Sequence, residues 1–122
     1  MIRIDFDTGH VARYRAAGFW QDATLADWLA ARAQQAGGRE ALRQGDRRVT
    51  WAELARLVRA LARSLDRLGV AKGEVVAVQL PNIVEFVVAY LAITSRGAVM
   101  QTLHMPYRAA ELSTLLAHSG AV

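Results

Sequence analysis

The stretch Val75-Val76-Ala77-Val78 is apolar at every position, and it runs through Leu80-Pro81-Asn82 straight into Ile83–Ile93, apolar but for Glu85. A strand with one wet face alternates polar and apolar residues. A continuous apolar strand is instead typical of a parallel sheet covered on both faces. Parallel neighbours need a crossover between them, usually a helix, so this one junction points to an α/β fold. The Ile83–Ile93 run is about eleven residues long, against the ~20 that a membrane crossing requires, and reads as a buried helix. Asn82 stands where an N-cap would, with Glu85 three residues on in capping-box spacing.

The flanking segments extend the same alternation. From Thr50 to Gly69 the apolar positions Leu54, Leu57, Val58, Leu61, Leu65 and Leu68 recur at three and four, the stripe of a helix facing a core. Thr50-Trp51-Ala52-Glu53 opens it as a capping box, and Gly69 closes it at C′. After Gly97, Ala98-Val99-Met100-Gln101-Thr102-Leu103 predicts a second buried strand. Met105-Pro106-Tyr107-Arg108 reads as a loop, and Ala109–His118 as a short amphipathic helix with Leu112, Leu115 and Leu116 on one side. Upstream, Thr24 and Asp27 form another capping-box pair, for a helix with Leu25, Trp28, Leu29 and Arg32 on one side that ends at Gly37-Gly38. Glu40–Arg43 and Arg47–Thr50 flank a Gly45-Asp46 turn as a hairpin. Residues 1–23 show no clean period, although Ile2, Ile4 and Phe6 alternate.

The order helix, strand, helix, strand, helix after Thr50 predicts a parallel sheet with right-handed crossovers. His118-Ser119-Gly120-Ala121-Val122 lies where a further parallel strand would begin. The expectation is therefore an incomplete α/β subdomain whose reading frame continues beyond Val122.

Composition narrows the chemistry. The 122 residues contain no cysteine, which excludes disulfides and thiolate-ligated metals and suits a reducing cytoplasm. The start carries no signal peptide pattern. Fifteen basic against eleven acidic residues give a net charge of +4, with Lys72 the only lysine. Arg56, Arg59, Arg63 and Arg67 form one row on the outer face of the leucine-striped helix. Such a row is either a solvated face or a phosphate grip, and the acids dispersed along the chain favour the first reading, without nucleic acid as partner. His10, His104 and His118 are too scattered for metal-ligand spacing. His104 stands out because it follows a strand's C-terminal end, where open α/β sheets bind ligands. Ser95 and Ser119 lack a nucleophile-elbow context, and Asp5 and Asp7 read as solvated. No residue is assigned a catalytic, cofactor-binding or metal role.

With these elements placed, the chain from Thr24 to Val122 resembles the N-terminal part of the AMP-forming acyl-CoA synthetases, of the adenylate-forming superfamily. Thr50-Trp51-Ala52-Glu53-Leu54 is similar to the family's T-Y-x-E-L. Leu68-Gly69-Val70 with Gly73-Glu74-Val75-Val76-Ala77 resembles L-G-V-x-x-G-D-x-V-A, with Glu74 in place of the commoner aspartate. Leu80, Asn82, Glu85 and Phe86 match L-x-N-x-x-E-F, Gly97-Ala98-Val99 matches G-A-V, and Tyr107-Arg108 with Glu111-Leu112 resembles Y-R-x-x-E-L. The resemblance implies residues 24–122 as the start of a large adenylation domain, preceded by a 1–23 extension and cut before the nucleotide-binding motifs. It implies a parent ligase that uses ATP and Mg to activate an apolar carboxylic acid and passes the acyl group to CoA. Its partners would be the acid, CoA, the rest of its own domain and, optionally, a second copy in a homodimer. The Leu80-Pro81-Asn82 junction is structural in that family, and the phosphate loop ending in lysine is absent here, so this chain alone is expected to bind no ATP. The alternatives are a self-contained small α/β interaction module and an RNA-binding module using the arginine row.

Overall fold

The computed structural model describes residues 6–122. Its elements are α1 (Thr8–Ala16), α2 (Leu25–Ala36), β1 (Glu40–Gln44), β2 (Arg47–Thr50), α3 (Trp51–Arg67), β3 (Val75–Val78), α4 (Val84–Ser95), β4 (Val99–Thr102) and α5 (Ala109–Ser119). The expected α/β architecture is present, a hairpin followed by parallel strands alternating with helices. Strands β1 and β2 pair antiparallel, Leu42 opposite Val49 and Gln44 opposite Arg47. Gly45 opens the two-residue turn at φ +57°, a conformation that glycine adopts without steric cost. Strands β3 and β4 pair in parallel, from Val75 beside Val99 to Val78 beside Thr102. On the other edge of β3, Ala121 forms a parallel bridge with Val75, and the Val122 N–H donates to the Val75 carbonyl at 2.9 Å. So β3 is central, with neighbours on both sides, and the last residues do begin a parallel pairing.

The core lies between the helices and the hairpin. Leu29 of α2, Val49 of β2, Leu54, Ala55 and Val58 of α3, and Val84 and Ala92 of α4 form one buried cluster. Val70, Ala89, Ile93 and Ala98 form a second, and Val76, Val78, Leu80 and Met100 pack against it. The sheet is only partly covered: all four β3 residues are partly buried and Val99 is half exposed. The apolar stripes of the helices end early. Leu68 is 79% exposed, since α3 stops at Arg67 and the capping turn swings Leu68 outward. On α2 only Leu29 is buried, and Trp28 is 58% exposed.

The caps decide where the helices start. Thr24 and Asp27 form the full box: the Thr24 N–H donates to Asp27 Oδ2 at 2.8 Å, and the Asp27 N–H donates to Thr24 Oγ1 at 3.3 Å. The Thr24 hydroxyl bond, then its backbone bond, hold the Asp27 carboxyl below its ordinary value. A depressed folded-state pKa contributes stability above the unfolded value and loses it as pH falls through the folded value. Thr24→Ala should therefore flatten the acid limb of a stability-against-pH curve; an unchanged limb would show that the box contributes nothing.

Thr50 is half a box. Its hydroxyl accepts the Glu53 N–H at 3.2 Å, but Thr50 also closes strand β2, and the Glu53 carboxylate lies toward Arg56 instead of returning to the cap. Thr50→Ala should still cost about 0.5–2 kcal/mol, measured as a lowered denaturant midpoint. The predicted Asn82 cap is not formed. Ile83 is the N-cap of α4 without a side-chain bond, and the Val84 N–H donates to Gln44 Oε1 of the hairpin at 3.0 Å. Glu85 instead accepts Arg47 Nη1 at 2.5 Å, which keeps its carboxyl below its ordinary value. A long-range partner displaced the local one.

The segment before α2 contains a helix that no period announced. Asp7, expected to be solvated, caps α1 by accepting the His10 N–H at 2.9 Å. Phe6, Tyr14, Phe19 and Trp20 lean on one another, with Phe6–Trp20 edge-to-face at 5.3 Å. No residue of α1 is buried. Ile2, Ile4 and Asp5 lie outside the described residues.

Candidate functional site

The C-terminal ends of β3 and β4 place Gln79 beside the loop that follows β4. The Gln79 side-chain amide donates to the carbonyl of His104 at 2.9 Å and of Tyr107 at 3.1 Å, with the Met105 carbonyl at 3.4 Å. Arg108 closes the loop from the other end, its Nη1 donating to Met105 O at 2.8 Å and Tyr107 O at 3.0 Å. Glu111 Oε2 accepts the Arg108 N–H at 2.9 Å, and that bond lowers its carboxyl pKa. The His104 ring meets Tyr107 edge-on at 5.6 Å, both exposed. A loop tied by side chains at both ends is ordered before any ligand arrives, so its geometry is preorganised. Gln79→Met keeps the length and removes the donors. It should raise the exchange rate of the Tyr107 amide, now bonded to His104 O, by about tenfold; unchanged protection would show the loop is held otherwise.

This edge does not fit nucleotide phosphates. Phosphate binding at a helix start needs free backbone N–H groups and no competing anion. At α4 the Val84 N–H is taken by Gln44, and Glu85 stands in the first turn. At α5 the Glu111 carboxylate already occupies the start, and the Arg108 guanidinium is engaged with loop carbonyls. No step of nucleotide chemistry is therefore assigned to these residues. The edge can position a neighbouring segment or a ligand; it has no nucleophile paired with a base.

The other candidates remain apart. His10 lies on α1, His104 in the β4–α5 loop and His118 in the last turn of α5. Among the described residues no group of three His, Asp or Glu side chains could hold a metal ion. The Ser95 hydroxyl donates to Ala92 O at 2.7 Å and that of Ser119 to Leu116 O at 3.3 Å, bonds to their own helices that leave neither poised as a nucleophile. Arg59 and Arg63 line a shallow groove of about 250 Å³ with Ala62, Asp66 and Arg96. Gln79 was missed in the sequence because its partners are backbone carbonyls some twenty-five residues away, which leave no pattern. No helix among the described residues is long and apolar enough to cross a membrane.

The hairpin and the helices leading into parallel strands match the N-terminal part of an adenylate-forming enzyme, as comparison with known proteins shows. The chain belongs to the AMP-binding enzyme family, whose model matches residues 29–122. It is 40% identical over 114 residues to triostin synthetase I of Streptomyces triostinicus, covering 93% of this chain and 22% of that protein. It is 35% identical over 123 residues to the salicyl-AMP ligase / salicyl-S-ArCP synthetase of Mycobacterium tuberculosis, covering 97% of this chain and 22% of that one. The apo structure of Mycobacterium smegmatis MbtA superposes with a TM-score of 0.87 at 38% identity, covering 96% of this chain and 22% of that chain. The chain thus spans about one-fifth of the length of the relatives it matches.

Proposed function

We propose that the whole protein is an ATP- and Mg-dependent, AMP-forming ligase that activates an aromatic carboxylic acid, with residues 24–122 forming the start of its adenylation domain. The observation that carries this reading is the overlap with the salicyl-AMP ligase, which spans 97% of the chain. An overlap that wide reaches into the segment bearing α1, upstream of the part that the family model matches. Residues 1–23, expected as an extension, are on this reading part of the same enzyme. A carboxylate is a poor electrophile. Adenylation converts its oxygen into a leaving group, and pyrophosphate departs. A thiol then displaces AMP. The name of that relative, salicyl-S-ArCP synthetase, favours a carrier-borne thiol over the CoA expected from the sequence, and an aromatic acid over apolar acids at large.

The nucleotide-contacting groups lie on this reading outside the 122 residues. The contribution of this piece is a scaffold: it anchors the central strand β3 and holds the 104–108 loop at the strand ends. Because adenylation is reversible, the whole protein should incorporate labelled pyrophosphate into ATP only when a suitable acid is present. Salicylate, anthranilate and benzoate should support exchange, and decanoate and free amino acids should not. Exchange with amino acids alone, or with no acid in the panel, would overturn the assignment.

A further inference from the structure

The arginine row is not absorbed by this function, and its geometry shows more than a solvated face. Arg56, Arg59, Arg63 and Arg67 follow one another along the exposed side of α3 at spacings of three, four and four. At 1.5 Å per residue the row is about 16 Å long. Arg56 lies 3.9 Å from Glu53, and Arg67 donates to Ser64 Oγ at 3.0 Å. Arg59 and Arg63 have no carboxylate partner among the described residues. They line the groove together with Ala62, Asp66 and Arg96, the C-cap of α4. Arg96 is held there by Asp66, and its Nε has no acceptor. Three arginines and one carboxylate therefore border the same groove.

We infer that this face of α3, centred on the groove between Arg59, Arg63 and Arg96, docks an acidic helix of a protein partner. Residues four apart on a helix have Cβ atoms about 5–6 Å from one another, for glutamates as for arginines. That repeat matches Arg59 to Arg63 and Arg63 to Arg67, so a helix laid along α3 meets the row in register. The small Ala62 side chain lets it approach, and guanidinium forks take carboxylates in paired hydrogen bonds. A single small anion would use only one or two of these exposed groups. Single-stranded nucleic acid is disfavoured because the groove presents no aromatic ring for base stacking, and Glu53 and Asp66 interrupt the positive row. Exposed ion pairs are individually weak, so the contact is salt-sensitive and acts through several pairs together.

The test is fluorescence anisotropy with a labelled helical peptide carrying glutamate at every fourth position, in about 0.01 M salt, where screening reaches ~30 Å. The glutamate peptide should bind saturably and its glutamine counterpart should not. Arg59→Gln with Arg63→Gln should weaken binding at least about tenfold. Arg13→Gln on α1 should leave it unchanged. The charge-reversed pair Arg59→Glu with Arg63→Glu should capture the same peptide made with lysine, a gain that loss of folding cannot mimic. Absence of saturable binding, or equal binding by the Arg59→Gln, Arg63→Gln protein, overturns the inference. So does a single-stranded RNA of matched charge that binds more tightly than the peptide and is released by the same double substitution, which would make the row a nucleic-acid site.

Discussion

The Ala92→Asp protein is expected to lose its cooperative thermal transition at pH 7. Ala92 is 0% exposed, inside the cluster that joins α2, α3, α4 and the hairpin. A carboxylate introduced there has no cation within the apolar cluster. Burying an unpaired charge costs several kcal/mol even after relaxation, against a total stability of about 5–15 kcal/mol. The pH dependence has a definite sign. Desolvation raises the folded-state pKa of the introduced carboxyl above its unfolded value of about 3.9. The folded state then holds more protons than the unfolded one, so stability falls as pH rises from the unfolded to the folded pKa. Circular-dichroism melts should therefore show a transition at pH 4 that is missing at pH 7. Ala92→Asn, similar in shape but without a charge to titrate, should be destabilised without that pH dependence. A pH 7 melting temperature equal to that of the unsubstituted protein would mean that position 92 is open to water.

Leu54→Ala should lower the stability by about 2–5 kcal/mol, the sum of lost transfer free energy and the cavity left behind. Leu54 is 2% exposed and is among the largest fully buried side chains, packed in one cluster with Leu29, Val49 and Val58. Helices α2 and α4 and the hairpin all meet α3 here, so the site has little freedom to collapse. Leu68→Ala is the internal comparison. Both leucines belong to the same sequence stripe, yet Leu68 is 79% exposed, and its loss should stay within about 0.5 kcal/mol. Denaturant midpoints with a common slope would measure both. Equal effects at the two positions would show that Leu68 is covered in solution.

By itself the sequence determined the order and type of the elements from Thr24 onward. Each rested on a local cause: the three-and-four spacing of leucines in α3, the Gly45-Asp46 turn, the Thr24–Asp27 box, and an uninterrupted apolar strand of the kind typical of a parallel sheet. The ordered motif matches between Thr24 and Val122 carried the resemblance to the family as well. Tertiary structure decided what depends on partners distant in the chain. The α4 cap passed from Asn82 to Gln44 because the hairpin brings an amide against the helix start. Glu85 turned to Arg47, thirty-eight residues away, for the same reason. Gln79 became the anchor of the 104–108 loop because parallel pairing sets β3 beside β4. The degree of burial was likewise tertiary. Val75–Val78 is apolar throughout, yet all four residues are only partly buried, since a residue's hydrophobicity states what it would bury against but not how much cover the rest of the fold supplies.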